Sequence, residues 1–144
     1  DAPEDEAGLR ASMRYVEQLI AQEISRGIEP SNIVLAGFSQ GGNVALNCAL
    51  RYPKRLAGAL ILSSYLGLAE QLAAQASAAN RALPIFMAHG TQDDIVPPAL
   101  AEASRATLVN LGYAVEWHSH PMAHTVCAAE VADIGQWLGA VLAD

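Results

Sequence analysis

The stretch Ile33-Val34-Leu35-Ala36-Gly37-Phe38-Ser39-Gln40-Gly41-Gly42 decides how this 144-residue chain is read. An apolar run feeds directly into Gly-x-Ser-x-Gly, and the helix-forming run 43–50 follows at once. A buried strand, a tight turn and a helix in that order present a serine hydroxyl above a sheet, ready to act as a nucleophile. The turn demands nearly side-chain-free neighbours and a strained serine backbone. The helix start adds backbone N–H groups that can stabilise an anion. Without that context, Ser39 would be an idle residue in a Gly-rich turn.

Working outward, four short apolar or β-branched runs recur at residues 33–38, 56–63, 83–89 and 114–119, and three of them are almost continuously apolar. Parallel strands covered on both faces have this composition. Helical patterns lie between them. Residues 7–26 are amphipathic, with Leu9, Met13, Val16, Leu19, Ile20 and Ile24 on one stripe. Residues 41–52 stop at Pro53, 68–79 are Ala-rich, and 97–111 open on a Pro pair and close at Gly112. Residues 125–142 repeat Val126, Val131, Ile134, Trp137, Leu138 and Val141 at helical spacing. Strands alternating with helices imply an α/β fold with a parallel sheet and helices on both faces.

Composition narrows the function classes. The chain is 52% hydrophobic and 16% charged, as expected of one globular domain spanning residues 1–144. A net charge of -7 argues against nucleic acid or an anionic membrane surface as partner. No apolar run is long enough for a membrane span, and the acidic start Asp1-Ala2-Pro3-Glu4-Asp5-Glu6 is unlike a secretory signal. Cys48 and Cys127 lack metal-type spacing and read as buried free thiols in a reducing, cytoplasmic compartment, with a disulfide between them as the alternative. The first residue is not Met, which reads as a processed product or a piece of something longer.

A serine alcohol needs a base, and the base needs an orienting group. On sheets that present serine in this way, the acid and then the His follow along the chain. The run 83–89 exits into Gly90-Thr91-Gln92-Asp93-Asp94, which offers two carboxylates; a solvated turn with a helix cap is the alternative reading. Residues 114–119 exit into His120-Pro121-Met122-Ala123-His124. His118 and His120 fall on the strand or its end, so the loop residue His124 is the one free to reach over the sheet. His89 reads as a buried, hydrogen-bonded histidine.

Three motifs in order, Gly37-Phe38-Ser39-Gln40-Gly41-Gly42, His89-Gly90-x-x-Asp93-x-x-Val96-Pro97 and Pro121-Met122-x-His124, closely resemble the phospholipase/carboxylesterase family of α/β hydrolases, which includes small bacterial carboxylesterases and acyl-protein thioesterases. The resemblance extends over essentially the whole chain. It implies the α/β-hydrolase fold, with Ser39 as nucleophile, Asp93 as the acid and His124 as the base. It also separates the two carboxylates: Asp94 stands where many relatives carry Pro and others Asp. The Gln40 N–H would be one oxyanion donor, and Ser64-Tyr65-Leu66 and Ile95 match loops that line the acyl pocket, with Tyr65, Leu66 and Ile95 as the substrate-binding residues. No metal or cofactor is implied. The implied activity is a serine carboxylesterase acting on short to medium esters through an acyl-enzyme. Thioester or lysophospholipid hydrolysis on the same residues is the runner-up, and an inactive structural or interaction module is the rival from another class.

One departure stands out. The family's first third carries early strands and a His-Gly-Leu-Gly type loop that supplies the second oxyanion donor, and nothing in residues 1–26 resembles it. The expectation is therefore a fold whose early strands are missing from this chain, with strand 33–38 at a sheet edge. An N-terminal segment or a second subunit is expected beside that strand.

Overall fold

The computed structural model describes residues 5–143. Four parallel strands, β1 (Val34–Phe38), β2 (Gly58–Leu62), β3 (Ile85–Gly90) and β4 (Val115–His120), lie in chain order across one sheet. Five α-helices accompany them: α1 (Glu6–Ser25), α2 (Gln40–Arg51), α3 (Ala69–Gln75), α4 (Pro98–Asn110) and α5 (Ala128–Val141). All four strands therefore end on the same side, where loops at the carboxyl ends of a parallel sheet build sites.

Burial follows composition. β2 and β3 are buried almost throughout, as their unbroken apolar runs require. Leu35, Ile61, Ile85 and Met87 face a large core closed by α1, α2, Leu72 and Leu108. Leu60, Phe86 and Ala88 face the other way, onto Trp137 of α5. Helices thus cover both faces, but among the described residues α5 alone packs on the second. Helix α2 is buried on nearly every side because it lies between the sheet and α1.

Both edges depart from that pattern. β4 alternates, sending Trp117 toward the main core and His118 against Phe86. β1 stands at the other edge, with Ala36 and Phe38 exposed. An apolar groove of about 660 Å³ runs beside it, lined by Val16, Leu19 and Ile20 of α1, Val34 and Ala36 of β1, and Val44 of α2, among others.

Several sequence expectations need correction. The Ala-rich segment is not one helix: α3 ends at Gln75, and a separate 3-10 turn spans Ala78–Asn80. The buried Asn80 side chain explains the break. It accepts from the Leu56 N–H and donates to the carbonyls of Tyr52 and Lys54, drawing the chain back toward the end of α2. Helix α5 starts three residues later than its pattern suggested, and Val126 and Val131 are exposed rather than part of its buried stripe. Leu19 is likewise 42% exposed, on the groove side of α1. Both cysteines are free, but only Cys48 is buried. Burial, with the nearby Glu17 charge, pushes the Cys48 thiol up to about 12. No helix among the described residues is long and apolar enough to cross a membrane.

Candidate active site

Ser39 sits between β1 and α2 with φ 56 and ψ −125, a backbone conformation rarely adopted outside glycine. Neighbouring contacts hold it there. Its N–H donates to the Leu62 carbonyl at 2.8 Å, and its carbonyl accepts from the Ser64 hydroxyl at 2.5 Å. The turn uses its two motif glycines unequally. A Cβ on Gly37 would run into the backbone of Gly41 and Gly42, whereas one on Gly41 would meet nothing within 4 Å. Tight packing therefore accounts for Gly37 alone. The serine side chain makes no helix cap, so its hydroxyl is available elsewhere.

That hydroxyl lies 2.9 Å from Nε2 of His124. The other ring nitrogen, Nδ1, lies 2.8 Å from Oδ2 of Asp93. The sheet explains how residues so distant in sequence meet. Gly90, at the end of β3, lacks the Cβ that would collide with the carbonyl oxygens of Met122 and Ala123. The loop after β4 can therefore lie directly against the strand end. It is fastened there by the Thr91 N–H donating to the His120 carbonyl (2.9 Å) and the Gln92 N–H donating to that of Met122 (3.0 Å). Phe38 stacks at a tilt on the His124 ring, centroids 4.8 Å apart, and limits how it can turn.

Asp93 is 5% exposed, while Asp94 beside it is exposed. Oδ1 of Asp93 accepts from the N–H groups of Ile95 and Val96 at 2.9 and 2.8 Å, leaving Oδ2 for His124. Burial alone would raise this carboxyl. The bonds from His124, Val96 and Ile95 outweigh it and hold the group below the usual carboxylate range. His89 is buried, as read from sequence; its Nε2–H donates to the Val96 carbonyl at 2.8 Å and so braces the same loop.

With Asp93 ionised and accepting from Nδ1–H, the His124 Nε2 lone pair faces the serine O–H. The arrangement can take a proton from Ser39 and carry the resulting positive charge. The Gln40 N–H, first in α2, has no acceptor among the described residues. Ile95 is 66% exposed and Tyr65 is half-buried. Leu66 is different: it is buried within the main core, and its N–H donates to the Ser104 hydroxyl. Sequence reasoning named Ser64 only as part of the acyl-pocket loop and missed its bond to the Ser39 carbonyl and the Phe38–His124 contact, because neither leaves a periodic or spacing signal.

The profile of the phospholipase/carboxylesterase family matches residues 1–142. The chain belongs to that family. It is 41% identical over 138 residues to acyl-protein thioesterase 1 of Gibberella zeae, a match covering 94% of this chain and 59% of that protein. It is 30% identical to carboxylesterase SOBER1 of Arabidopsis thaliana, covering 95% of this chain and 60% of that protein. This family member thus spans about three fifths of the curated relatives it matches. Its structure superposes on crystalline Arabidopsis thaliana SOBER1 with a TM-score of 0.92 at 30% identity, covering 98% of this chain and 68% of that one. Zea mays acyl-protein thioesterase 2 gives 0.83 at 29% identity, with 99% and 68% covered. The fold is the α/β-hydrolase fold, represented in part.

Proposed function

We propose that this family member is a serine hydrolase of carboxylic esters that works through an acyl-enzyme. The observation that carries the reading is the single imidazole of His124 bridging Ser39 at 2.9 Å and Asp93 at 2.8 Å. Ser39 Oγ attacks the ester carbonyl carbon while His124 Nε2 takes its proton. The carbonyl oxygen becomes an oxyanion, to which the Gln40 N–H donates at the positive end of α2. Collapse expels the alcohol, which receives the proton from His124. Water then repeats the sequence on the acyl-serine and releases the acid. Asp93 keeps Nδ1 protonated and stabilises the imidazolium throughout.

The substrate reading is a short to medium acyl ester, with Tyr65 and Ile95 at the approach to Ser39. The exposure of Phe38 and Ile95 supports an open site. Hydrolysis of acyl thioesters by the same residues is the second reading, favoured by the 41% identity to a fungal acyl-protein thioesterase. A full oxyanion hole needs a second donor. We expect it from a polypeptide segment seated beside β1, where an apolar edge strand borders an apolar groove. The free cysteines fit a cytoplasmic setting.

The test is labelling with a fluorophosphonate followed by peptide mass mapping. Label on Ser39 alone, lost in Ser39→Ala, is the expected result. Label on Ser63 or Ser64 with Ser39 free would overturn the assignment. Rates on an ester series and on matched thioesters then separate the two substrate readings.

A further inference from the structure

Away from Ser39, the end of β4 and the start of α5 bring together His118, His120 and Asp133. Each offers one ligand atom, and the three atoms lie within 4.8 Å of one another. Oδ2 of Asp133 is 3.4 Å from His118 Nδ1 and 3.2 Å from His120 Nε2. Ligand atoms about 2.0–2.2 Å from a tetrahedral zinc ion stand roughly 3.3–3.6 Å apart; both separations from Asp133 are close to that range, and the two imidazole nitrogens lie within 4.8 Å of each other. We propose that His118, His120 and Asp133 bind one divalent transition-metal ion of the zinc class.

Strand geometry puts the two imidazoles together. Residues 118 and 120 are two apart on β4 and share a face, with nearly parallel rings. Asp133 and Glu130 are three apart on α5 and share the helix face opposite them.

Three further observations point to a cation. First, Oε2 of Glu116 lies 2.8 Å from His118 Nε2. A proton on Nε2 satisfies that carboxylate and leaves the Nδ1 lone pair facing Asp133, the carboxylate–histidine arrangement that supports metal ligands. Second, His120 Nε2 is buried and makes no aligned hydrogen bond, despite Asp133 nearby. Third, Glu130 is fully buried, and neither carboxylate oxygen has a hydrogen-bond partner among the described residues. Its electrostatic neighbours are His120 and Asp133. A buried carboxyl without a donor is costly, and positive charge in its neighbourhood lowers that cost. The mixed imidazole and carboxylate set selects zinc, cobalt or nickel over calcium and magnesium, which prefer oxygen throughout. A bound ion would join β4 to α5 across the loop that carries His124.

Zn²⁺ titration calorimetry on the chelator-treated full chain tests this, with Co²⁺ absorption as a coordination probe. One ion per chain and the visible bands of low-coordinate Co²⁺ are expected. His120→Ala and Asp133→Ala should each weaken binding at least a hundredfold, and Glu116→Ala about 10–100-fold. Cys127→Ser should bind like the parent. No saturable uptake, unchanged affinity in the His120 and Asp133 variants, or loss of binding in Cys127→Ser would overturn the site. Should His120→Ala lose its circular-dichroism fold signal, Asp133→Ala at the half-exposed position decides alone.

Discussion

The Ser64 hydroxyl donates to the carbonyl oxygen of Ser39 across 2.5 Å, tying the exit of β2 to the strained residue at the exit of β1. A residue at φ 56 is held only while its surroundings over-determine it, and this bond, with the Ser39 N–H to Leu62 bond, is the local restraint. Ser64→Ala removes about 1 kcal/mol of stability. If Ser39 is the nucleophile proposed above, it should also loosen that residue, so kcat falls by up to about tenfold with KM little changed. Thermal melts and steady-state rates on a soluble ester check both halves. A KM effect alone would assign Ser64 to substrate contact instead.

Asp93 and Asp94 differ in what surrounds them. Asp93→Asn should lower turnover by about 10⁴, because the amide holds the wrong histidine tautomer, while Asp94→Asn should leave it nearly unchanged. The pH dependence follows from sign. The folded-state pKa of Asp93 is lowered, so its stabilising contribution is present above the unfolded value of about 3.9 and is lost as pH falls through the folded value. The stability gap between the parent and Asp93→Asn should therefore be flat above about pH 5 and close only below about pH 4. Denaturant melts at stepped pH measure it.

Much of this was legible in the residues. Unbroken apolar runs gave the buried strands β2 and β3, and the glycine-flanked serine gave the strand–turn–helix at Ser39. The choice between the adjacent aspartates was not legible from pattern. It depends on which carboxylate the Ile95 and Val96 N–H groups enclose, a three-dimensional property. The split of the Ala-rich segment escaped for a similar reason: helix propensity is high there, and the hydrogen bonds of Asn80 override it. Val131 kept helical spacing yet faces solvent, because periodicity fixes the stripe's phase only where a neighbour covers it.

Cysteine reactivity should divide along burial. Cys48 is 1% exposed, and burial pushes its thiol up to about 12, so almost none is thiolate at pH 8. Cys127 is half-buried at the start of α5. A disulfide-exchange reagent should titrate one thiol in the native protein and two after unfolding. Peptide mapping should find the native label on Cys127. Rapid native labelling of Cys48 would mean that the α1–α2 packing opens readily.

The last prediction concerns Gly90. Its Cα lies so close to the 121–124 loop that an added Cβ would strike the Met122 and Ala123 carbonyl oxygens, which are backbone atoms and cannot rotate away. Gly90→Ala must therefore lift the loop, stretching the Thr91–His120 and Gln92–Met122 hydrogen bonds and moving His124 off Ser39. Overpacking of this kind costs about 1–3 kcal/mol of stability. With His124 as the proposed base, the catalytic loss should be larger in proportion, since a displacement of about 1 Å at such a group costs on the order of 10² in rate. Gly41→Ala is the matched control, because a Cβ there meets nothing within 4 Å and should leave stability nearly unchanged. Equal melting temperatures and equal kcat for Gly90→Ala and the parent would show that the loop is not held by this contact.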